Sequence, residues 1–147
     1  DLVDYLMPRL FMPLGIARPH WETDPQGFTF GAGGLEISLS ELFAFIKLYY
    51  DGGCHAGKQL LSRAWVETST AVHSDNSAAY GPDEADNRLG YGYLFWRGEY
   101  NSFRADGKYG QLSILCREKD AVITVVAECR EGAALNRAIF DELYPQL

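Results

Sequence analysis

The chain has 147 residues, 47% of them apolar and 14% aromatic, which suits one packed domain and excludes a disordered chain. Its formal net charge is −7 and its 13 basic residues form no stripe, so no nucleic-acid partner is expected. No apolar run approaches the roughly 18 residues that a membrane-spanning helix needs. Three cysteines, Cys54, Cys116 and Cys129, are too few and too odd in number for a disulfide framework. Without Cys-x-x-Cys spacing they read as ordinary thiols. The chain opens on Asp1 with no signal-type segment, so its start reads as the middle of a longer polypeptide.

Residues 3–12 carry Val3, Leu6, Met7, Leu10 and Phe11 at helical spacing, and Pro13 is expected to stop that helix. Asp24-Pro25-Gln26-Gly27 predicts a turn. Ser38 and Glu41 form a capping-box pattern before a helix whose expected apolar side is Leu39, Leu42, Phe43, Ile46, Tyr49 and Tyr50. Gly52-Gly53 closes it. A second helix is expected from the Ser62 cap through Trp65 and Val66. Residues 73–89 are polar and predict an exposed loop.

From Gly90 the apolar period changes. Residues 91–96, 102–106, 111–116 and 121–129 predict four strands, with turns at Gly98-Glu99-Tyr100-Asn101 and Arg117-Glu118-Lys119-Asp120. A last helix over residues 133–143 is expected to end before Pro145. Three to four antiparallel C-terminal strands with helices before and after make an α+β fold in a single domain over 1–147.

The run Phe103-Arg-Ala-Asp-Gly-Lys-Tyr-Gly-Gln111 resembles the third active-site element of serine hydrolases related to class C β-lactamases and penicillin-binding proteins. In order along the chain, Phe11-Met-Pro-Leu-Gly-Ile16, Gly33-Gly-Leu-Glu-Ile-Ser-Leu-Ser-Glu-Leu42, Tyr50-Asp-Gly-Gly53, Gly57-Lys-Gln-Leu-Leu-Ser62 and Tyr91-Gly-Tyr93 are similar to further stretches of that family's C-terminal half. The resemblance implies part of a β-lactamase-like fold and a hydrolase of ester or amide substrates that works through an acylated serine. It implies no cofactor. It places Ala105, Asp106 and Gly107 at the three motif positions and gives the backbone amide of Lys108 to the oxyanion. Ala105 departs from the basic residue of many relatives, which favours an esterase- or amidase-like member over a β-lactamase. Relatives are often exported or periplasmic.

A complete member also carries Ser-x-x-Lys and Tyr-x-Asn or Ser-x-Asn, and neither string occurs in these residues. Ser38, Ser40 and Ser62 suit helix caps. Ser69, Ser74 and Ser77 have no lysine three positions on, and Ser102 and Ser113 belong to strand patterns. No catalytic nucleophile is therefore expected in this chain, and its partner would be a missing N-terminal portion or a second chain. A non-catalytic ligand-binding or homodimeric module derived from the same family is the competing reading, since an open strand edge favours pairing between chains.

Other patterns carry less. Gly52-Gly-Cys-His-Ala-Gly57-Lys58 nearly copies a phosphate-binding loop, but Gln59 stands where Ser or Thr would hold a metal, and a helix precedes it instead of a strand. His20, His55 and His73 lack the spacing of a metal set. Asp1, Asp4, Glu22 and Asp24 read as solvated charges. Gly107 alone could be a bulge glycine, Asp106 and Lys108 strand-end charges, and Gln111 a strand-end pin. Tyr91 and Tyr93 read as packing residues that could line a cleft mouth.

Overall fold

A computed structural model describes the chain except for the side chains of Pro82 and Asp83. The expectation of an exposed loop at those two residues therefore lies outside the described residues. The chain forms two compact units, Asp1–Ser62 and Arg63–Leu147.

In the first unit, Asp1 caps α1 (Leu2–Leu6) by accepting the Val3 amide at 2.5 Å. The helical path then continues through a wide turn, Met7–Phe11, and a tight turn, Met12–Leu14, and ends at Gly15 with φ +74°. Pro13 does not stop it, contrary to expectation. It sits at the start of the tight turn, where its missing N–H has no partner to lose. Strands β1 (His20–Trp21) and β2 (Leu35–Glu36) pair antiparallel. The turn between them forms as predicted, with the Asp24 carboxylate accepting the amides of Gln26 and Phe28, both at 2.9 Å.

Helix α2 (Leu39–Tyr50) starts with the predicted capping box. Its expected apolar side is only half right. Leu39 and Phe43 are exposed, while Leu48 is fully buried with Val3, Phe11, Leu14 and Ile16. Burial is concentrated in the helix's C-terminal half, which the periodicity alone did not distinguish. Gly53, at φ +85°, donates to the Leu48 carbonyl at 2.8 Å and ends the helix. Strands β3 (Cys54–His55) and β4 (Lys58–Gln59) follow as a hairpin turned by Ala56 and Gly57, both left-handed.

The second unit begins with α3 (Arg63–Thr70) directly after Ser62, as predicted. Residues 73–89 are more ordered than a loop. Ser74 bridges Tyr91, and Pro82–Arg88 is a tight helical segment with a kink at Glu84. The sheet is β5 (Trp96–Arg97), β6 (Phe103–Gly107), β7 (Gln111–Cys116) and β8 (Ala121–Val126), antiparallel throughout and in that spatial order. The expected strand over 91–96 shrinks to β5, because Leu94 adopts φ +62° and breaks the extended path. The expected strand over 121–129 ends at Val126. Beyond it the Ala127 and Cys129 amides turn to the carbonyls of Gly110 and Tyr109.

Register fixes the faces. Arg104 pairs with Ile114 and Asp106 with Leu112, so these four side chains share one face. Helix α4 (Gly132–Ala138) and its continuation through Ile139–Leu143 pack there, joining Ile139, Phe140 and Tyr144 to Leu112, Ile114, Cys116 and Ile123. Burying Leu112 and Ile114 contributes roughly 1.5–3 kcal/mol each. The helical path passes Pro145 in a last tight turn, Tyr144–Gln146, instead of ending before it. The α+β arrangement with a four-stranded antiparallel sheet stands as predicted. Among the described residues no helix is long and apolar enough to cross a membrane.

Candidate substrate-binding edge

Strand β6 is flanked unequally. On one side β7 pairs with it along its whole length, from Phe103↔Leu115 to Gly107↔Gln111. On the other, β5 reaches only Phe103 and Arg104. Ala105, Asp106 and Gly107 therefore lie past the end of β5, on an open sheet margin. The hairpin out of this strand turns through Lys108, Tyr109 (φ +69°) and Gly110 (φ +92°). Glycine suits 110 because its φ is left-handed, and a Cβ there would also press on the Leu135 side chain at 2.8 Å. At Gly107 a Cβ would lie 3.1 Å from Gln111 Cβ, so the position is tight although its φ is ordinary. The Lys108 amide has no hydrogen-bond partner among the described residues. Its ammonium sits 4.9 Å above the Tyr109 ring, away from any carboxylate.

Gln111 pins the strand end, as expected of that position, by donating to the Ala127 carbonyl at 3.2 Å. Asp106 is more than a solvated charge: it accepts Arg104 Nε at 2.9 Å. Arg104 is 2% exposed. It also pairs with Asp86 through Nη1 and with Asn87 through Nη2, and stacks 5.6 Å from the Trp96 ring centroid. Asn136 on α4 donates to the same Asp86 carboxylate. A buried guanidinium thus ties β6 to the 82–88 segment, and Asp86 ties that segment to α4. The planar five-donor fork of arginine suits such a hub.

These groups border a cavity of about 400 Å³. Asp106, Gly107 and Lys108 form one wall, Asp86 and Asn87 another, and Asn136 and Phe140 a third. Tyr80 and Trp96 supply aromatic surface. Tyr91 packs edge-on against Trp96 at 4.8 Å instead, and burial raises the pKa of its phenol. Tyr93 stacks on His73 at 4.2 Å. Ala105 faces the other side of the sheet from Asp106 by strand alternation.

Sequence reasoning missed Arg104, Asp86, Asn87 and Asn136. A charged residue in the alternation Phe103-Arg104-Ala105, on the face shared with Ile114, was the available signal for Arg104. Its partners Asn87 and Asp86 lie 17 and 18 positions away, Asn136 reaches Asp86 across 50, and no local pattern announces them.

The remaining candidates resolve into structural roles. The amides of Gly52, Gly53 and Cys54 donate to Tyr49, Leu48 and Asp51 carbonyls, so the phosphate-loop lookalike is a helix end followed by a hairpin. Asp1 and Asp4 both pair with Arg18, and that guanidinium holds the Asp4 carboxyl below its ordinary pKa. Ser38 caps α2, Ser69 bonds the Val66 carbonyl within α3, and Ser113 meets Thr124 across two strands at 3.1 Å. Among the described residues no cluster of three His, Cys, Asp or Glu could hold a metal. Burial pushes the Cys116 thiol up to about 11, which makes it inert at neutral pH.

No family model matches the chain, and no curated protein matches it. Solved structures do. A Bacillus anthracis protein provisionally assigned as a 6-aminohexanoate-dimer hydrolase superposes with a TM-score of 0.65 at 21% identity, over 86% of this chain and 32% of its own. A Bacteroides dorei protein provisionally assigned as a β-lactamase superposes with a TM-score of 0.64 at 15% identity, over 96% of this chain and 51% of its own. The chain thus spans about a third of the length of the first neighbour and about half of the second. The four-stranded sheet and its helices are part of a β-lactamase-like fold.

Proposed function

We infer that the chain is the C-terminal part of a serine-type hydrolase of esters or amides. It supplies the sheet margin against which the acyl group lies, and the attacking serine, its lysine and a tyrosine belong to residues outside this stretch. One observation carries the reading: Gly107 and Lys108 stand at an open strand margin, beside a cavity of about 400 Å³, with the Lys108 amide unengaged among the described residues. A backbone N–H fixed at a strand end needs no reorganisation to meet an oxygen that gains negative charge, and one such donor is worth roughly 10²–10³ in rate. Gly107 lets substrate approach the backbone closely, and Asp106 is held by Arg104 so that the strand keeps its line. Both structural neighbours bear the names of hydrolases, which supports the reaction class.

Treating the 147-residue chain with a fluorophosphonate and weighing it tests the missing nucleophile. No adduct is expected, whereas the protein encoded by the uninterrupted reading frame should take up one equivalent on a serine outside these residues. One labelled serine within them would overturn the reading. The competing reading, a non-catalytic module, is favoured by the free outer margin of β8 and predicts a dimer that no fluorophosphonate modifies, even in the uninterrupted frame.

A further inference from the structure

Away from that margin, the sheet register brings two arginines together. Arg97 pairs with Phe103, and Phe103 pairs with Leu115. By alternation these three side chains share the face opposite Arg104, and Arg117 lies two residues past Leu115. The Arg117 guanidinium sits 5.4 Å above the Phe103 ring. Both arginines line a second cavity of about 270 Å³, with Glu67, Thr70 and Asn101.

Neither arginine has a carboxylate partner among the described residues. Arg97 uses two of the five donors of a guanidinium, one on the Thr70 carbonyl at 3.3 Å and one on the Asn101 amide oxygen at 2.6 Å. Those contacts aim the group and leave further N–H donors for a ligand. Burial first, and then the Arg117 charge, lower the Arg97 pKa, so the two cations repel across the cavity. The cavity carries two positive charges and one negative, from Glu67.

We propose that Arg97 and Arg117 form a binding site for a small oxyanion, a phosphate or carboxylate group held between two guanidiniums. The chemistry fits: guanidinium forks match the paired oxygens of both groups, and a site of this volume takes a small anion and no large ligand. The site is separate from the proposed acyl site and needs no hydrolase activity.

The test is a calorimetric titration of the chain with sodium phosphate, sodium acetate and sodium chloride at constant ionic strength. Saturable binding of phosphate or acetate, absent for chloride, is expected, and whichever oxyanion binds tighter identifies the ligand geometry. Arg117→Gln, on an exposed turn, should weaken binding about tenfold or more. Glu67→Gln should tighten it. Arg117→Gln should also raise the melting temperature slightly without anion and abolish the rise that phosphate produces in the parent. An equal response to chloride, or binding unchanged in both variants, would overturn the proposal. Should Arg97→Gln fail to fold, Arg117→Gln and Glu67→Gln still decide it.

Discussion

The hairpin from β3 to β4 and the hairpin from β6 to β7 both turn on left-handed residues, Ala56 and Gly57 in one and Tyr109 and Gly110 in the other. Their strings are equally suggestive in the sequence, one of a phosphate loop and one of a hydrolase motif. Their surroundings differ. Around the first, the amides of Gly52, Gly53 and Cys54 are engaged by the end of α2, and Gln59 Nε2 bonds the carbonyls of Gly52 and Leu61. A phosphate would find no free donor among those amides. Around the second, the strand leading in has an open margin, the Lys108 amide is unengaged among the described residues, and a cavity lies alongside. What a glycine-rich string can bind therefore depends on where its amides already point, which periodicity and spacing do not encode.

The largest effect that would break this contrast is at Arg104. Arg104→Met removes the hub and leaves Asp86 and Asp106 without their cation, while the methionine stem still fills the space. A loss of about 3 kcal/mol is expected in urea unfolding. A change below half of that would mean the network is peripheral to how β6 is held. Next come the two hairpins' own glycines. At Gly53 a Cβ would sit 2.1 Å from the Leu61 carbonyl oxygen, and φ is +85°. Gly53→Ala should therefore cost at least about 2 kcal/mol. At Gly107 φ is ordinary and the nearest contact is a side chain at 3.1 Å, so Gly107→Ala should cost under about 1 kcal/mol. On the proposed hydrolase reading, the same change in the protein encoded by the uninterrupted frame should nonetheless slow acyl transfer about a hundredfold, because the methyl would displace the acyl group from the Lys108 amide. Equal stability losses at the two glycines would erase the difference between the closed hairpin and the open one.

Legibility followed locality. The capping box at Ser38, the turn at Asp24 and strand β7 depend on neighbours within a few residues, and the sequence showed all three. Strand ends were less legible, because Leu94 leaves extended geometry and the chain after Val126 returns to the β6–β7 turn. Ala105, Asp106, Gly107 and Lys108 could be picked out as a candidate edge because their string is contiguous. The cavity beside them could not, since Asp86, Asn87, Arg104 and Asn136 meet only after the sheet, the 82–88 segment and α4 have assembled. Pro13 and Pro145 misled for one reason: proline ends a helix in its interior, but the opening residues of a fresh tight turn tolerate it, and each proline is the second residue of one.

The smallest effects lie at the start of α2, the helix that ends in the closed hairpin. Ser38→Ala removes the acceptor for the Glu41 amide and should cost about 1 kcal/mol. Glu41 returns the contact by accepting the Ser38 amide at 2.7 Å, and that bond, with the Ser38 hydroxyl, lowers its pKa below the ordinary 4.5. A carboxyl with a depressed folded-state pKa contributes stability that is fully present above the unfolded value and is lost as pH falls through the folded one. The melting-temperature gap between the parent and Glu41→Gln should therefore be constant from neutral pH down to the ordinary glutamate range and close below it. The site is exposed, so the gap will be small and salt will not remove it, because the bond is to a backbone amide and not to a distant charge. A gap that persists undiminished in acid would mean that the carboxylate's charge is not what closes the cap.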